Sequence, residues 1–281
     1  MTSLFKYLLP ALLLSALFSF RQQDDSPLEG RAGIAYYHFS HVRDTIRPSR
    51  IWEEDFQLAF GPEQSVYFSA TKRRQDSAHR AAFEEAERTN SSTVNMGAWR
   101  PVTEESIYIN GQALLVNRNF RQANYLIKEP FEKTDWQITT ETKQILGHTC
   151  QKATGTVKGR TYTAWFTTDV PASFGPWKLH GLPGLILEAN DNANRIRFTC
   201  TRIETDAALP AGVSLEPPAD ATSTTNTAFL RMEAAYREGL SANAGSTDDI
   251  RVESATVNGQ QLNAPNNKPR FNYPLELPLT K

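Results

Sequence analysis

The stretch that decides the fold is Gly175-Pro176-Trp177-Lys178-Leu179-His180-Gly181-Leu182-Pro183-Gly184-Leu185-Ile186-Leu187-Glu188. Pro183-Gly184 predicts a type II turn, because proline sets φ at the second turn position and glycine accepts a positive φ at the third. The apolar run 185–187 follows at once and is typical of a strand that is buried on both faces. We therefore predict a tight corner that leads into the core, with a positive φ at Gly184.

Strand signals are dense on both sides of this corner. Residues 149–156 are predicted to pair with 161–168 across Lys158-Gly159, and 185–189 with 195–203 across 191–194. In the last of these strands Ile196, Phe198 and Cys200 alternate with polar residues, which predicts one buried and one solvated face.

The rest of the chain continues the β pattern with little helix. Residues 33–42 predict the first strand, Asn110-Gly111 predicts a hairpin turn, and Asn258-Gly259 predicts a late hairpin. Helices are predicted at 77–88, capped by Asp76 or Ser77, and at 227–238, ended by Gly239. The predicted fold is mainly β (β-rich α+β): a curved antiparallel meander, half-barrel or barrel-like, with about two short helices.

The chain begins with a pattern typical of a signal peptide. Lys6 precedes an apolar stretch at 8–17, and the sequence turns polar from Arg21. This stretch is too short to span a bilayer comfortably, although an uncleaved anchor is the alternative. We predict a signal peptide at 1–20 and a single β-rich domain at 21–281, with a core at 31–204, a linker at 205–226 and a C-terminal helix and tail at 227–281. The expected location is periplasmic or secreted, and no transmembrane segment is expected in the mature chain.

Composition and motifs exclude several classes of function. The 281 residues carry a formal net charge of -1, which gives no electrostatic basis for binding nucleic acid. The sequence contains no nucleophile elbow, H-E-x-x-H, C-x-x-C, P-loop or Rossmann glycine pattern. His38 and His41 are three residues apart on a predicted strand, so they face opposite sides and do not predict a shared metal. We predict no cofactor, no metal and no identifiable catalytic residue.

Cys150 and Cys200 lie on predicted strands, and two readings stay open. They could be buried free thiols, which behave as small apolar side chains. In an oxidising compartment they could instead form a disulfide, which requires Cα atoms within about 7 Å of each other. Closing a loop of about fifty residues would contribute on the order of 4 kcal/mol.

Aromatic and charged residues cluster around the central corner in sequence. This candidate binding platform consists of Arg160, Trp165, Asp169, Trp177, Lys178 and His180. Tryptophans with basic neighbours beside a rigid turn could bind a ligand. Alternatively, both tryptophans fill the open end of a curved sheet, and His180 only donates or accepts structural hydrogen bonds.

Residues 145–203 resemble the GLPGLI family, a group of secreted proteins of Gram-negative bacteria. The motif Gly181-Leu182-Pro183-Gly184-Leu185-Ile186 spells the family name, and matching segments occur in order at 145–153, 158–160, 164–166, 169–171 and 175–177. His148 departs from the pattern, which usually has tyrosine there. The resemblance implies an exported β-rich protein with no assigned biochemical function, and a related module occurs beside a peptide N-glycosidase catalytic domain.

Three functions are compatible with this sequence. The first is a non-enzymatic binding or accessory protein whose partner is an unknown periplasmic or cell-envelope protein. The alternative is a periplasmic carrier of an apolar ligand such as a lipid in a half-barrel cavity, by analogy of fold. The third is an unrecognised hydrolase. An apolar cavity of several hundred Å³ would favour the carrier, whereas convergent carboxylates in a cleft would favour the hydrolase.

Overall fold

The computed structural model describes residues 31–97, 100–244, 256–257, 260–261 and 272–277. The predicted signal peptide lies outside these ranges. In chain order the elements are β1 (Arg31–His41), β2 (Trp52–Phe60), β3 (Gln64–Ser69), α1 (Ala70–Arg88), β4 (Ser106–Asn110), β5 (Ala113–Phe120), β6 (Ala123–Glu129), β7 (Gln137–Ile145), β8 (His148–Val157), β9 (Arg160–Thr167), β10 (Leu185–Asp191), β11 (Ile196–Ala208), β12 (Thr222–Thr224), α2 (Asn226–Ala244), β13 (Thr256–Val257) and β14 (Gln260–Gln261).

Twelve strands form one sheet in the order β12-β6-β5-β4-β3-β2-β1-β11-β10-β9-β8-β7. Neighbouring strands are antiparallel, except that β12 pairs parallel with β6. β1 pairs with β2 on one side and with β11 on the other, so it joins two series of sequential hairpins. The sheet curves without closing into a barrel. The predicted mainly β fold, a curved antiparallel meander with two helices, is confirmed.

Both hairpins predicted beside the central corner are present. β8 pairs with β9 across Lys158 and Gly159, which have φ values of 47° and 77°. A two-residue turn with both φ values positive matches the twist of the strands that it joins. β10 pairs with β11, on which Ile196, Phe198 and Cys200 are buried while the intervening residues are exposed.

The larger core lies on what we call the inner face of the sheet. Most of its strand residues come from alternate positions, whereas β10 contributes the consecutive residues 185–187. The large side chains of this core include Tyr37, Phe39, Phe56, Leu58, Phe166 and Phe198. A second, smaller cluster on the outer face contains Ile34, Ala59, Val66, Phe68 and Tyr108. The linker predicted at 205–226 is shorter in the structure, because β11 runs to Ala208 and β12 begins at Thr222. Three residues of the remaining connection, Leu209, Val213 and Leu215, pack against this outer cluster.

The first helix begins earlier than the sequence pattern predicts. α1 starts at Ala70 rather than Ser77, and the Ser69 side chain accepts a hydrogen bond from the Lys72 amide at its N-terminus. Ala70 and Thr71 are buried, so packing against the sheet adds about two turns of helix that amphipathic spacing alone does not predict. Phe83, on the later part of the helix, is 50% exposed.

The second helix continues past its predicted end. α2 runs to Ala244, so Gly239 is not its stop signal, and the leucine and alanines that follow are strong helix formers. Phe229 is buried against the rings of Phe120 and Tyr125, at centroid distances of 6.2 and 5.5 Å. These contacts anchor the start of the helix to β5 and β6.

The prediction of a positive φ at Gly184 is wrong. In this corner φ is positive at Trp177, at 56°, and at Gly181, at 90°, but not at Gly184. Gly184 is required for a different reason, because a Cβ atom there would lie 2.0 Å from the carbonyl oxygen of Thr167. The strand that follows is buried as predicted, since Leu185, Ile186 and Leu187 are fully inaccessible. The corner therefore depends on close contact between two backbones.

Candidate functional site

The structure separates the predicted binding platform into unconnected parts. Trp165 is half-buried on the face of β9 opposite to Arg160, with the Lys143 ammonium 4.5 Å from its ring centroid. Asp169 is exposed and accepts a hydrogen bond from His148 Nδ1 at 3.0 Å. Arg160, Trp177 and Lys178 are buried, whereas Trp165 packs against the larger core while only partly buried.

His180 has a structural environment. Its ring is buried and stacks on Phe131 with a centroid distance of 4.4 Å, and its carbonyl accepts a hydrogen bond from Trp136 Nε1. Burial lowers the pKa of His180, and the nearby Lys158 ammonium lowers it further. These contacts hold the corner against the segment that precedes β7.

Arg160 and Lys178 are engaged by a segment that is distant in sequence. Arg160 Nε donates to the Pro274 carbonyl at 3.0 Å. Lys178 Nζ is 2.6 Å from Glu129 Oε2 and 2.5 Å from Glu276 Oε1. The two cations therefore bind the chain's own C-terminal segment, which we define as residues 272–277.

The inner face contains a cavity of about 330 Å³ that the sequence does not reveal. Its apolar wall consists of Phe39, Phe56, Tyr67, Ile107, Trp177 and Phe198, and the C-terminal segment contributes Tyr273, Pro274 and Leu275. His41, Arg43, Thr103 and Glu105 provide polar groups along it. Each wall residue of the strands occupies an inward position of the alternating pattern, so the sequence predicts core at these positions rather than a binding site.

The cavity wall is built from ring pairs. Phe39 stacks on Phe198 at 4.9 Å, and Phe56 stacks on Tyr67 at 4.7 Å with an interplanar angle of 8°. Phe39 and Phe56 meet edge to face at 5.8 Å, which joins the two pairs across β1 and β2. Ring pairs of this kind add to the stability expected from their buried area, so the wall is rigid.

Trp177 enters the wall in an unusual backbone conformation. Its φ is 56°, in the left-handed region that bulky side chains rarely adopt. The indole is 6% exposed and lies parallel to the Phe198 ring at 6.5 Å. Strained conformations of this kind persist where the surrounding structure determines them, and they are concentrated at ligand sites.

The Tyr67 hydroxyl is the polar group that most directly indicates a ligand. Tyr67 lines the cavity and is 4% exposed. Its hydroxyl makes no hydrogen bond to any residue that the structure describes. Burial raises the pKa of this phenol well above its usual value, and the Glu54 carboxylate raises it further, so the group stays protonated and can donate.

The carboxylate beneath the cavity is fully engaged. Glu54 is 1% exposed and accepts from the Ser69 hydroxyl at 2.5 Å. The Thr103 amide and hydroxyl donate to it at 2.9 and 2.8 Å, and Trp52 Nε1 donates at 3.1 Å. A carboxylate with four donors is held in place by the fold and serves a structural role.

The two cysteines are free and buried. Cys150 lies on β8 and Cys200 on β11, with β9 and β10 between them. Three strand spacings measure roughly 14 Å along a sheet, which is too far for a disulfide. Burial raises the pKa of Cys150 to about 11 and that of Cys200 to about 12, so neither is a reactive thiolate near neutral pH.

The part of the chain that the structure describes has neither a candidate metal site nor a candidate membrane-spanning helix. No group of three or more His, Cys, Asp or Glu in it could hold a metal ion. None of its helices is both long and apolar enough to cross a membrane.

Comparisons with known proteins match part of the chain. A family model described as "N-glycanase peptide, N-terminal domain" matches residues 101–224, less than half of the sequence. Two solved structures of PNGF-II, in the C2 and P21 space groups, are each 18% identical over 72% of this chain, with TM-scores of 0.49 and 0.48. The aligned part spans about a third of the PNGF-II chains, 32% and 33%. No curated protein matches.

Proposed function

We propose that this chain is an exported, non-enzymatic binding protein of the GLPGLI family that holds a small apolar ligand in the inner-face cavity. The observation that carries this proposal is the aromatic cavity of about 330 Å³ with the unpartnered Tyr67 hydroxyl in its wall. Ligand pockets in proteins typically enclose about 300–1,000 Å³ and combine an apolar lining with a few polar groups. The ligand is therefore small, largely apolar and provided with one group that accepts a hydrogen bond.

The chemistry around the cavity favours binding over catalysis. Glu54 is held by four donors, and His41 is buried and donates from Nε2 to the Tyr273 carbonyl at 2.8 Å. Burial lowers the pKa of His41 to about 4, so the imidazole is neutral at pH 7. The groups that could transfer protons are thus engaged in structural bonds.

An accessory role is the second candidate. It is supported by the match of residues 101–224 to the model named for the N-terminal domain of an N-glycanase. In this role the chain would bring a glycan-processing enzyme and its substrate together. Co-purification of such an enzyme with the tagged chain from its own periplasm would support it.

Export itself is testable on the same preparation. We propose that residues 1–20 are removed during export, because a basic start and an apolar stretch precede a sharp change to polar residues. N-terminal sequencing of the exported protein should begin near residue 21. Retention of Met1 would contradict cleavage.

Ligand binding is tested with two probes of nearly equal size, naphthalene and 1-naphthol. Both should bind the purified protein in fluorescence titrations, and native mass spectrometry of protein from its own host should show a bound small molecule. Ile107→Phe narrows the cavity and should lower the affinity for both probes at least tenfold. Tyr67→Phe should lower only the affinity for 1-naphthol, by about three- to tenfold, as expected for the loss of one hydrogen bond.

A matched control separates the cavity from the rest of the sheet. Tyr108 is also a buried tyrosine, but it lies in the outer-face cluster, so Tyr108→Phe should leave both affinities unchanged. Absence of binding of both probes to the wild-type protein, with no co-purifying small molecule, would overturn the proposal.

A further inference from the structure

The C-terminal segment lies in a groove that binds its backbone at several points. The Tyr273 amide donates to the Arg43 carbonyl at 3.1 Å, and the Leu277 amide donates to the Lys158 carbonyl at 3.0 Å. Arg160 adds a second donor to Pro274, from Nη2 at 2.5 Å, and His41 binds the Tyr273 carbonyl. These donors and acceptors come from β1, β9, the β1–β2 connection and the β8–β9 turn, so the groove is built by distant parts of the sheet.

The same groove recognises particular side chains of the segment. The Tyr273 ring has the Arg160 and Arg195 guanidinium carbons 3.9 and 5.0 Å from its centroid, and its hydroxyl donates to Asp191. The Asn272 amide exchanges two hydrogen bonds with Thr45, each at 2.9 Å. Together with the ion pair between Glu276 and Lys178, these contacts select for Asn-Tyr-Pro-x-Glu.

Buried charge is what distinguishes this groove from ordinary packing. The side chains of Arg160, Lys178 and Asp191 are 8%, 4% and 3% exposed. Burying charges costs free energy unless each one is paired and hydrogen-bonded. The C-terminal segment supplies part of the ion pairs and hydrogen bonds of these buried charges. Within the described residues, this segment does not form a strand of the sheet. If the C-terminal segment were purely structural, apolar contacts could hold it without the free-energy cost of burying charges.

We propose that this groove is a peptide-binding site for an extended segment with the pattern Asn-Tyr-Pro-x-Glu. In this chain the C-terminal segment fills the groove in cis, and a second protein with the same pattern competes for it in trans. Recognition combines backbone hydrogen bonds, which are independent of sequence, with pockets for alternate side chains, as in other complexes with extended peptides.

The test uses the full chain and a labelled peptide with the sequence of residues 271–278, Phe-Asn-Tyr-Pro-Leu-Glu-Leu-Pro. Fluorescence anisotropy would measure its binding to the wild type and to Tyr273→Ala, in which the competing cis segment is weakened. The Tyr273→Ala chain should bind the peptide at least tenfold more tightly than the wild type. Adding Lys178→Met should remove most of this gain, whereas Arg197→Ala, at an exposed site on β11, should not.

The peptide itself provides a second control. Replacing its glutamate by glutamine should also weaken binding to the Tyr273→Ala chain, because this change and Lys178→Met both remove the ion pair between the peptide and the groove. Absence of peptide binding to a folded Tyr273→Ala chain would overturn the proposal. Glu276→Lys is the milder alternative to Tyr273→Ala, and if neither variant folds, the segment is part of the cooperative fold and the proposal fails. Tyr273, Pro274 and Leu275 also line the cavity, but no apolar ligand enters this test, so peptide binding is measured separately from ligand binding.

Discussion

Gly184 lies where the backbone of the central corner is in close contact with the backbone of β9. A Cβ atom at this position would lie 2.0 Å from the Thr167 carbonyl oxygen, and that oxygen belongs to the paired strand rather than to a flexible side chain. Gly184→Ala should therefore lower the free energy of unfolding by at least about 3 kcal/mol, measured by urea denaturation. At Gly61 the nearest atom to an added Cβ is the end of the Leu215 side chain, at 3.3 Å. Gly61→Ala should cost less than about 1 kcal/mol, and equal losses for the two variants would contradict this account.

His41 makes the stability of the protein depend on pH. Burial lowers its pKa to about 4; Arg43 and Arg160 lower it as well, against the opposing effects of the Tyr273 carbonyl and Asp191. The unfolded chain binds a proton below about pH 6.5, while the folded protein does not bind it until about pH 4, so this contribution to stability is lost as the pH falls through that window. Between pH 7 and pH 5 the wild type should lose about 2 kcal/mol more than His41→Gln does. Denaturant titrations of both proteins at the two pH values measure this difference, and parallel losses would show that His41 does not titrate as described.

The sequence identified Arg160 and Lys178 as important but not what they bind. Their partners Pro274 and Glu276 lie 114 and 98 residues away, beyond the reach of local patterns. The alternation of side chains along β9 places Arg160 on the same face as Tyr162. The sequence pattern of β9 does not indicate that the C-terminal segment covers that face. Both substitutions to alanine would leave buried partners unpaired, so they should lower the melting temperature, contrary to the small effect expected of exposed binding residues.

At the scale of elements, α1 and β2 share one hydrogen-bonded junction. The Ser69 hydroxyl accepts from the Lys72 amide at the helix N-terminus and donates to the buried Glu54. Ser69→Ala should cost about 2–4 kcal/mol, the sum of a lost N-cap and a carboxylate deprived of one donor. Ser77→Ala, on the exposed part of the same helix, is the matched control and should change stability by less than about 0.5 kcal/mol. Thermal or urea unfolding of the two variants distinguishes the junction from helix propensity.

The hairpins were predictable because their signals are local. Turn residues such as Lys158-Gly159 and strict alternation on β11 lie within a few positions of the structure that they specify. The two helix ends could not be predicted in this way. α1 starts early because Ala70 and Thr71 are buried against the sheet, and α2 continues past Gly239 because helix-forming residues follow it. β12 has three residues and pairs parallel with β6, from which it is separated by some ninety residues, so no local pattern identifies it.

At the scale of the whole molecule, β1 is the seam between two series of antiparallel hairpins. Its register with β11 runs from Arg31 opposite Ala208 to His41 opposite Ile196, and two irregularities interrupt it. The cavity lies across this seam, with Phe39 of β1 and Phe198 of β11 on one side and Phe56 of β2 on the other. A ligand in the cavity therefore contacts both halves of the sheet and should stabilise the whole fold, by an amount that rises with the logarithm of its concentration.

The two hairpin series can form early, since most of their strands meet a neighbour across a short connection. The exceptions are β3 and β4, which are joined through α1, and β9 and β10, which are joined through residues 168–184. Joining the two series requires β1 to pair with β11, which lies about 150 residues away in the chain. The entropic cost of closing so long a loop must be met before any contact between β1 and β11 stabilises the fold. Seam formation should thus limit the refolding rate. Ile34→Val on β1 should slow refolding, whereas Ile109→Val on β4 should chiefly speed unfolding, which stopped-flow kinetics can resolve. Until β11 pairs with it, a newly made chain exposes one unpaired edge of β1, so aggregation is most probable in this interval.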